Sequence, residues 1–277
     1  MIICDRYRFC FIHIPKCAGT SVRFALQRFD DTGGRFSTLE GIDPETTGLD
    51  HCHIPLFALK KHYPAEFEKI CDYSSYAVIR DPFERFPSSV YQHLTAYGTR
   101  SVRMISKTEL KNETSRCIDY LSNCSGLHAL PREYIHFQRQ RSFIYDGDKR
   151  IVGNLYPVEK VAQLLRDVSR LTGELIKPAD FGFTAPDHMN VSIVYRFRYA
   201  GWIIDRLKPA IERPLERLLP RVMKTALQNT VYMSRDRRFK DIYESNYVRQ
   251  FVESYYASDI ELLGAMYSRS RQSSSLL

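Results

Sequence analysis

Short apolar runs alternate with amphipathic stretches along the first two thirds of the chain. The run Cys10–Ile14 is short, apolar and contains two isoleucines, which predicts a buried strand. Val22, Leu26 and Phe29 follow at helical spacing, with Thr20 available as a cap, so we expect a helix there. The chain therefore opens as strand, loop and helix.

The same order of a strand and then a helix recurs twice. Ser75–Ile79 is a second candidate for a buried strand, and we expect a helix with Pro87 in its first turn after it. Ile151–Tyr156 predicts a third strand, followed by a helix over 157–171 whose apolar positions fall on one face. This alternation predicts an α/β fold with a parallel sheet.

The sequence predicts one domain with a short tail. Residues 1–267 are expected to form that domain, which includes a basic segment at 196–240. The serine-rich end, residues 268–277, is expected to be flexible.

The composition is that of a globular protein. Of the 277 residues, 44% are hydrophobic, which is enough for a sizeable core and excludes collagen, coiled coils and disordered chains. No apolar run approaches the ~18 residues that span a bilayer, and the N-terminus lacks the layout of a signal peptide, so we expect a cytoplasmic protein. Seven cysteines without a C-x-x-C pair are expected to be reduced thiols.

The net charge of +8 comes from one segment. Residues 196–240 hold 12 Lys and Arg against four Asp and Glu, so their surplus equals the net charge of the whole chain. Such a segment indicates an anionic partner, which could be nucleic acid, a membrane surface, a nucleotide or an acidic polysaccharide. No module that reads nucleic acid is visible in the sequence, so we expect no nucleic-acid partner. Peripheral contact with the inner face of an anionic membrane stays open.

The turn after the first strand has the composition of an anion-binding loop. Unpaired N–H groups and the dipole at a helix start attract phosphate. Because the lysine precedes the glycine here, whereas ATPases carry it after their glycines, a nucleotide hydrolase is disfavoured. For this loop by itself, an ordinary strand-to-helix turn stays the alternative. The loop residues are Lys16, Cys17, Ala18, Gly19, Thr20 and Ser21.

This loop and a second turn together resemble the sulfotransferases that use 3′-phosphoadenosine 5′-phosphosulfate (PAPS). The run Phe11–Ser21 is similar to their 5′-phosphosulfate loop, F-x-H-x-P-K-[TC]-[GA]-G-[TS]-[ST]. The turn Arg80–Pro82, with Ser88 eight residues after the arginine, resembles their 3′-phosphate signature. The resemblance implies a three-layer α/β fold with a P-loop-like strand, loop and helix. It also implies PAPS as the donor, bound by residues 16–21, Arg80 and Ser88.

Three further segments resemble the carbohydrate-type branch of this family. His136 and Gln140 fit its H-x-x-x-Q segment, residues 188–192 its H-x-N-x-S segment, and residues 255–259 the start of its closing helix. The resemblance implies a carbohydrate or glycolipid acceptor, with His136 and Gln140 as weaker candidates for binding it. Glu84 and Arg85 are expected to form a surface or structural pair and not to bind a ligand.

The segment His51–His53 supplies candidates for a general base. Sulfuryl transfer to a hydroxyl needs a base near the acceptor oxygen and a cation near the leaving phosphate, and Lys16 is the candidate cation. On an extended segment, His51 and His53 would present two imidazoles on one side. The segment also resembles H-x-H-[IV] of uronyl 2-O-sulfotransferases, which implies His53 as the base and His51 as a residue that orients the acceptor.

No metal site is predicted. His51–His53 has no downstream ligand pair with zinc spacing, and the sulfuryl group carries too little charge to require Mg²⁺. Cys17 is either a thiolate open to oxidation or a small residue that fits the loop, and we favour the second. A P-loop-like nucleotide kinase and a non-enzymatic basic module for nucleic acid or anionic glycan stay as alternative functions.

Overall fold

The computed structural model describes residues 1–37, 49–98, 105–124, 130–176, 193–195 and 232–274. The chain divides into two units. The first comprises Met1–Ser89, Ser125–Asp187 and Val252–Leu277, and the second Val90–Cys124 and His188–Phe251. The single domain over 1–267 stays a prediction.

The described strands and helices alternate over most of the chain. The strands are β1 Ile2–Cys4, β2 Phe9–Ile12, β3 Ser74–Ile79, β4 Tyr145–Asp146, β5 Lys149–Arg150, β6 Asn154–Pro157, β7 Ile193–Tyr195 and β8 Tyr232–Ser234. The helices are α1 Gly19–Leu26, α2 Leu56–His62, α3 Pro64–Asp72, α4 Pro82–Tyr97, α5 Lys107–Asn123, α6 Val161–Thr172, α7 Arg235–Tyr243, α8 Asn246–Tyr255 and α9 Ala257–Ser274.

The first unit contains a four-stranded sheet in the order β1-β2-β3-β6. Strands β2, β3 and β6 are parallel, and β1 pairs with β2 in the antiparallel direction. The predicted α/β fold with a parallel sheet is therefore confirmed. Strand β1 was not predicted, because a run of three apolar residues is too short to show a periodicity.

The parallel pairing places two loops at one edge of the sheet. Strand β2 pairs with β3 so that Ile12 lies opposite Ala77, and both strands run toward the same edge. The loop that follows Ile12 and the turn that follows Ile79 are consequently neighbours. In open α/β sheets, ligands bind in the crevice outside the carboxyl ends of the strands.

The core of the first unit surrounds this sheet. Residues of β2 and β3 are almost entirely buried, as expected for strands covered on both faces. Helix α6 contributes the face that the sequence predicted, with Val161, Leu164, Leu165 and Val168 buried. It begins at Val161, after a single 3₁₀ turn that follows Pro157.

Helix α4 begins five residues earlier than the sequence suggested. Its first residue is Pro82, and Oδ1 of Asp81 accepts the Phe83 N–H at 2.9 Å, so Asp81 caps the helix. Pro87 lies inside the helix and not in its first turn. Because Pro87 has no N–H, the helix lacks one backbone hydrogen bond there, but it continues beyond Pro87 to Tyr97.

The second unit contains α5, which falls in a region that the pattern of apolar positions did not assign. The helix starts with a capping box, in which the side chains of Ser106 and Glu109 each accept from the other's backbone N–H. It is joined to α7 by an ion pair of 3.0 Å between Lys107 and Asp241. The S-x-x-E pattern at residues 106–109 is a sequence signal for such a helix start that was not used in the prediction.

Several predictions concern the C-terminal part of the chain. Residues 188–192 and residues 196–231 of the basic segment lie outside the described residues. The backbone of α9 is helical as far as Ser274, so most of the predicted tail continues this helix. Within the described ranges, no helix is long and apolar enough to cross a membrane. All seven cysteines are described, and none forms a disulfide.

Candidate active site

The loop between β2 and α1, residues 13–18, has an unusual backbone. Lys16 and Ala18 have positive φ angles of 62° and 57°, a left-handed conformation that is uncommon outside glycine and that clusters at ligand-binding sites. Ala18 caps α1 without a side-chain hydrogen bond, and the first turn of the helix has no acidic residue. The helix start therefore presents N–H donors and a positive dipole end to an anion.

His13 explains the glycine that starts α1. A Cβ atom added to Gly19 would lie 1.9 Å from Cδ2 and 2.5 Å from Nε2 of the His13 ring. The imidazole thus packs directly against the backbone at the helix start, where no other residue leaves it room. Thr20 is exposed and Ser21 is buried, so the two hydroxyls of this turn lie in different environments.

Cys17 points into the protein. Its Sγ donates to the carbonyl oxygen of Pro15 at 3.4 Å and to Oε1 of Gln140 at 3.2 Å. Burial raises the pKa of the Cys17 thiol to about 12, against the opposing charges of Arg85 and Arg80. At neutral pH Cys17 is a thiol that fills the loop, and the residue is fully buried.

Arg80 and Ser88 converge at the end of β3. The Arg80 guanidinium donates from Nη1 to Oγ of Ser88 at 3.4 Å and from Nε to Oε2 of Glu84 at 3.1 Å. The expected pair between Glu84 and Arg85 is wrong, because the spacing of four residues brings Glu84 to Arg80 instead.

Gln140 joins the two loops. Its Oε1 accepts the Arg80 N–H at 2.9 Å as well as the Cys17 thiol, and its Nε2 donates to the Arg80 carbonyl at 2.8 Å. Gln140 is 1% exposed. It was expected to contact an acceptor; the structure instead buries its amide between the loop after β2 and the turn after β3, since both backbones need hydrogen-bond partners there.

Arg85 fixes the segment that carries Gln140. The guanidinium is fully buried and donates to the carbonyl oxygens of His136 at 3.2 Å and Gln138 at 2.8 Å. It also lies 5.0 Å from the ring of Tyr256. Burying a guanidinium is costly, and these two hydrogen bonds hold residues 136–140 against Arg85, although its Nε has no hydrogen-bond partner in the described structure.

Asp259 supports the same segment from the C-terminal helix. Its two carboxylate oxygens accept the N–H groups of Gln140 at 2.8 Å and Arg141 at 2.9 Å, and Arg85 Nη2 lies 3.9 Å away. Burial raises the pKa of Asp259, while Arg85 and the two N–H groups act in the opposite direction. The closing-helix motif noted in the sequence thus contributes a carboxylate that positions Gln140.

His51 and His53 do not present their imidazoles together. The segment is a 3₁₀ turn and not extended, so the two side chains diverge. Nε2 of His51 lies 3.3 Å from the hydroxyl of Tyr63, in a buried environment, and the His51 ring contacts Phe36. The expected juxtaposition of the two histidines is therefore wrong, and the same divergence separates the ligands of a zinc site there.

His53 belongs to a cluster of three imidazoles. Its ring centroid lies 4.5 Å from that of His13 and 5.2 Å from that of His136. Burial, the charge of His53 and further neighbouring cations keep the pKa of His13 well below its usual range. Burial lowers the pKa of His136 to about 3, with the charges of His53 and Lys16 adding to the effect. His13 and His136 are therefore neutral at pH 7.

Asp50 sets the orientation of His53. Its Oδ2 lies 3.0 Å from Nδ1 of His53, and its Oδ1 accepts the Cys52 N–H at 2.9 Å. Burial alone would raise the pKa of Asp50, but hydrogen bonds from His53 and from the Cys52 N–H outweigh it and the pKa is lowered. An ionised carboxylate only accepts, so Nδ1 of His53 is the donor in its contact with Asp50.

The sequence model of the sulfotransferase family matches residues 1–171, a span that includes both loops, the three imidazoles, Asp50 and Gln140. The chain belongs to the sulfotransferase family. No curated protein and no solved structure matches it. Membership makes the chain a transferase of sulfuryl groups. Asp259 and Tyr256, which contact Gln140 and Arg85, lie beyond the matched span.

Three residues of this sulfotransferase site were not predicted. Asp50 directly precedes His51–His53, at the position where a cap is expected, and that spacing was the available signal. His13 belongs to the loop motif, but its contact with Gly19 depends on tertiary structure. Arg85 gave no signal, since nothing local indicates that a helix residue is buried.

The neutral His136 makes the stability of this sulfotransferase sensitive to acid. The unfolded chain binds a proton at His136 below the ordinary pKa of 6.5, whereas the folded protein does so only near pH 3. The free energy of unfolding should therefore fall with decreasing pH, by up to about 1.4 kcal/mol per pH unit for this group. We expect His136→Gln to reduce that slope in urea unfolding between about pH 4.5 and 6.5. Equal slopes in both proteins would contradict this.

Proposed function

We propose that this protein transfers the sulfuryl group of PAPS to a hydroxyl of a carbohydrate-type acceptor, with His53 as the general base. One observation carries the proposal: the Gln140 amide bonds both to the loop after β2 and to the turn after β3. Two anion-binding elements are thereby fixed at one edge of a parallel sheet. A donor with an anionic group at each end of an adenosine fits that arrangement.

The loop after β2 suits the 5′-phosphosulfate, in a P-loop-like strand, loop and helix. Left-handed residues at Lys16 and Ala18 turn the chain so that backbone N–H groups would face the ligand, and Gly19 lets the start of α1 pack against His13. Thr20 offers an exposed hydroxyl. The Lys16 ammonium would stabilise negative charge on the departing phosphate oxygen.

The turn after β3 suits the 3′-phosphate. Nη1 of Arg80 lies 3.4 Å from Oγ of Ser88, so the guanidinium and the hydroxyl can contact the same phosphate. Glu84 holds Nε of Arg80, which directs the rest of the guanidinium toward Ser88. A nucleotide without a 3′-phosphate would leave this pair unused, which favours PAPS over ATP.

The imidazole cluster supports His53 as the base. Of the three rings, only that of His53 contacts a carboxylate within the described structure, and this carboxylate belongs to Asp50. Asp50 would stabilise the imidazolium that forms when Nε2 of His53 takes the proton of the acceptor hydroxyl. His13 and His136 stay neutral beside it and so add no competing charge. His51 would act on the acceptor at most indirectly, through its contact with Tyr63.

The acceptor is proposed from the family resemblance and from charge. The surplus of basic residues in 196–240 favours an acidic glycan, a glycolipid or an anionic membrane surface at the inner face. His136 is the candidate for acceptor contact, since its ring adjoins His53. Radiolabelled transfer onto chondroitin, dermatan, heparan and glycolipid acceptors would identify the class.

Donor binding should depend on both anion-binding elements. We expect 3′-phosphoadenosine 5′-phosphate to bind with micromolar affinity in calorimetry, and AMP at least about tenfold more weakly. Arg80→Ala should abolish this preference by weakening only the bisphosphate, whereas Lys16→Ala should weaken both nucleotides. Lys61→Ala, at an exposed position of α2, is the matched control. Equal affinities of the wild type for the two nucleotides would favour a nucleotide kinase or a basic binding module.

Turnover should depend on His53 and Asp50 but donor binding should not. With an acceptor from the screen, we expect His53→Ala to lower kcat about 10²–10⁴-fold, because a general base contributes rate enhancement of that order. Asp50→Asn should lower kcat by about tenfold or more, since the amide no longer stabilises the imidazolium. Both variants should bind 3′-phosphoadenosine 5′-phosphate normally. Full turnover in His53→Ala, or a larger loss in His51→Ala, would reassign the base.

A further inference from the structure

Three side chains with metal-binding atoms meet between α4 and α5 in the second unit. They are Nδ1 of His93 on α4 and, on α5, a carboxylate oxygen of Glu113 and Sγ of Cys117. These atoms all lie within 4.8 Å of one another. We propose that His93, Glu113 and Cys117 bind a zinc ion that ties α4 to α5. The proposal does not depend on the proposed function, in which none of the three takes part.

The separations suit one small cation. Glu113 Oε1 lies 2.8 Å from Nδ1 of His93 and 3.9 Å from Sγ of Cys117. Tetrahedral zinc with its usual bond lengths places its nitrogen, oxygen and sulfur ligands about 3.3–3.8 Å apart. Side-chain rotations that move the ligand atoms by up to about 1 Å would bring all three to those separations.

The positions of the ligands on their helices are fixed. Glu113 and Cys117 are four residues apart on α5, so they lie on the same face one turn from each other. That face also buries Leu110, Ile118 and Leu121. A carboxylate among such side chains is costly unless cations accompany it. Arg116 supplies one at Oε2, and zinc would supply positive charge at Oε1.

Arg116 orients the carboxylate for this role. Its Nη2 contacts Oε2 of Glu113, while Oε1 of the same carboxylate faces His93 and Cys117. One oxygen is thus held by a guanidinium at the surface and the other is directed at the two further ligands. Partners that orient a metal ligand in this way are typical of protein metal sites.

The donor set favours zinc over harder or larger cations. Imidazole nitrogen, carboxylate oxygen and thiolate sulfur together are characteristic of Zn²⁺, whereas Mg²⁺ and Ca²⁺ select oxygen ligands. On binding, the Cys117 thiol would lose its proton to solvent, so that the charges of thiolate and carboxylate balance Zn²⁺. Three protein ligands leave the fourth position to water.

This metal site was not predicted from the sequence, because His93 and Glu113 are 20 residues apart and form no known spacing motif. Only the packing of α4 on α5 brings them together.

Metal content and a cobalt spectrum test this site. The full chain, purified with a tag that binds no metal, would be equilibrated with zinc, passed over a desalting column and analysed for metal; a parallel sample would be titrated with Co²⁺. We expect one zinc ion per chain and a thiolate-to-cobalt charge-transfer band. Cys117→Ser and His93→Asn should each weaken binding about tenfold or more. Cys124→Ser, directly after the same helix, is the matched control and should bind like the wild type.

The outcomes separate a metal site from a hydrogen-bonded cluster. A wild-type chain that retains no zinc, or whose cobalt complex lacks the thiolate band, overturns the proposal even if a variant fails to fold. Unchanged binding in both folded variants also overturns it. We further expect zinc to raise the Tm of the wild type and a chelator to reverse that rise, because the metal binds only the folded state.

Discussion

The hydrogen bonds of the Gln140 amide are the interaction on which the site depends. With one oxygen and one nitrogen, this side chain bonds to the Cys17 thiol and to both backbone groups of Arg80. The two loops come from different strands, and no covalent link fixes their separation. Because Arg85 and Asp259 in turn fix the segment that carries Gln140, the separation of the loops is set from the interior of the first unit.

A second constraint is electrostatic. Three imidazoles lie in contact beside Lys16, and burial keeps His13 and His136 neutral. A single carboxylate, Asp50, lies against the third ring. In the proposed reaction, His53 accepts a proton close to the Lys16 ammonium. Asp50 balances the charge that His53 gains, and the other two rings add none because they are neutral. The same burial that makes this possible destabilises the protein in acid.

The sequence predicted the parts of the fold that have a local signature. The strands β2, β3 and β6 and the apolar face of α6 follow from periodicity, and the positions of the two loops after β2 and β3 follow from motifs. The roles of residues that depend on tertiary contacts were not predicted. Arg85 is an example, because its burial depends on backbone carbonyl groups about 50 residues away. The divergence of His51 and His53 was missed because an alternating pattern cannot distinguish an extended segment from a 3₁₀ turn.

The most direct test of this account is the affinity of Gln140→Leu for 3′-phosphoadenosine 5′-phosphate in calorimetry. Gln140 is buried and would not touch the ligand, so any loss of affinity must act through the spacing of the two loops. We expect binding about 10–100-fold weaker than in the wild type, in a variant whose circular dichroism is unchanged. Wild-type affinity in a folded Gln140→Leu would contradict it.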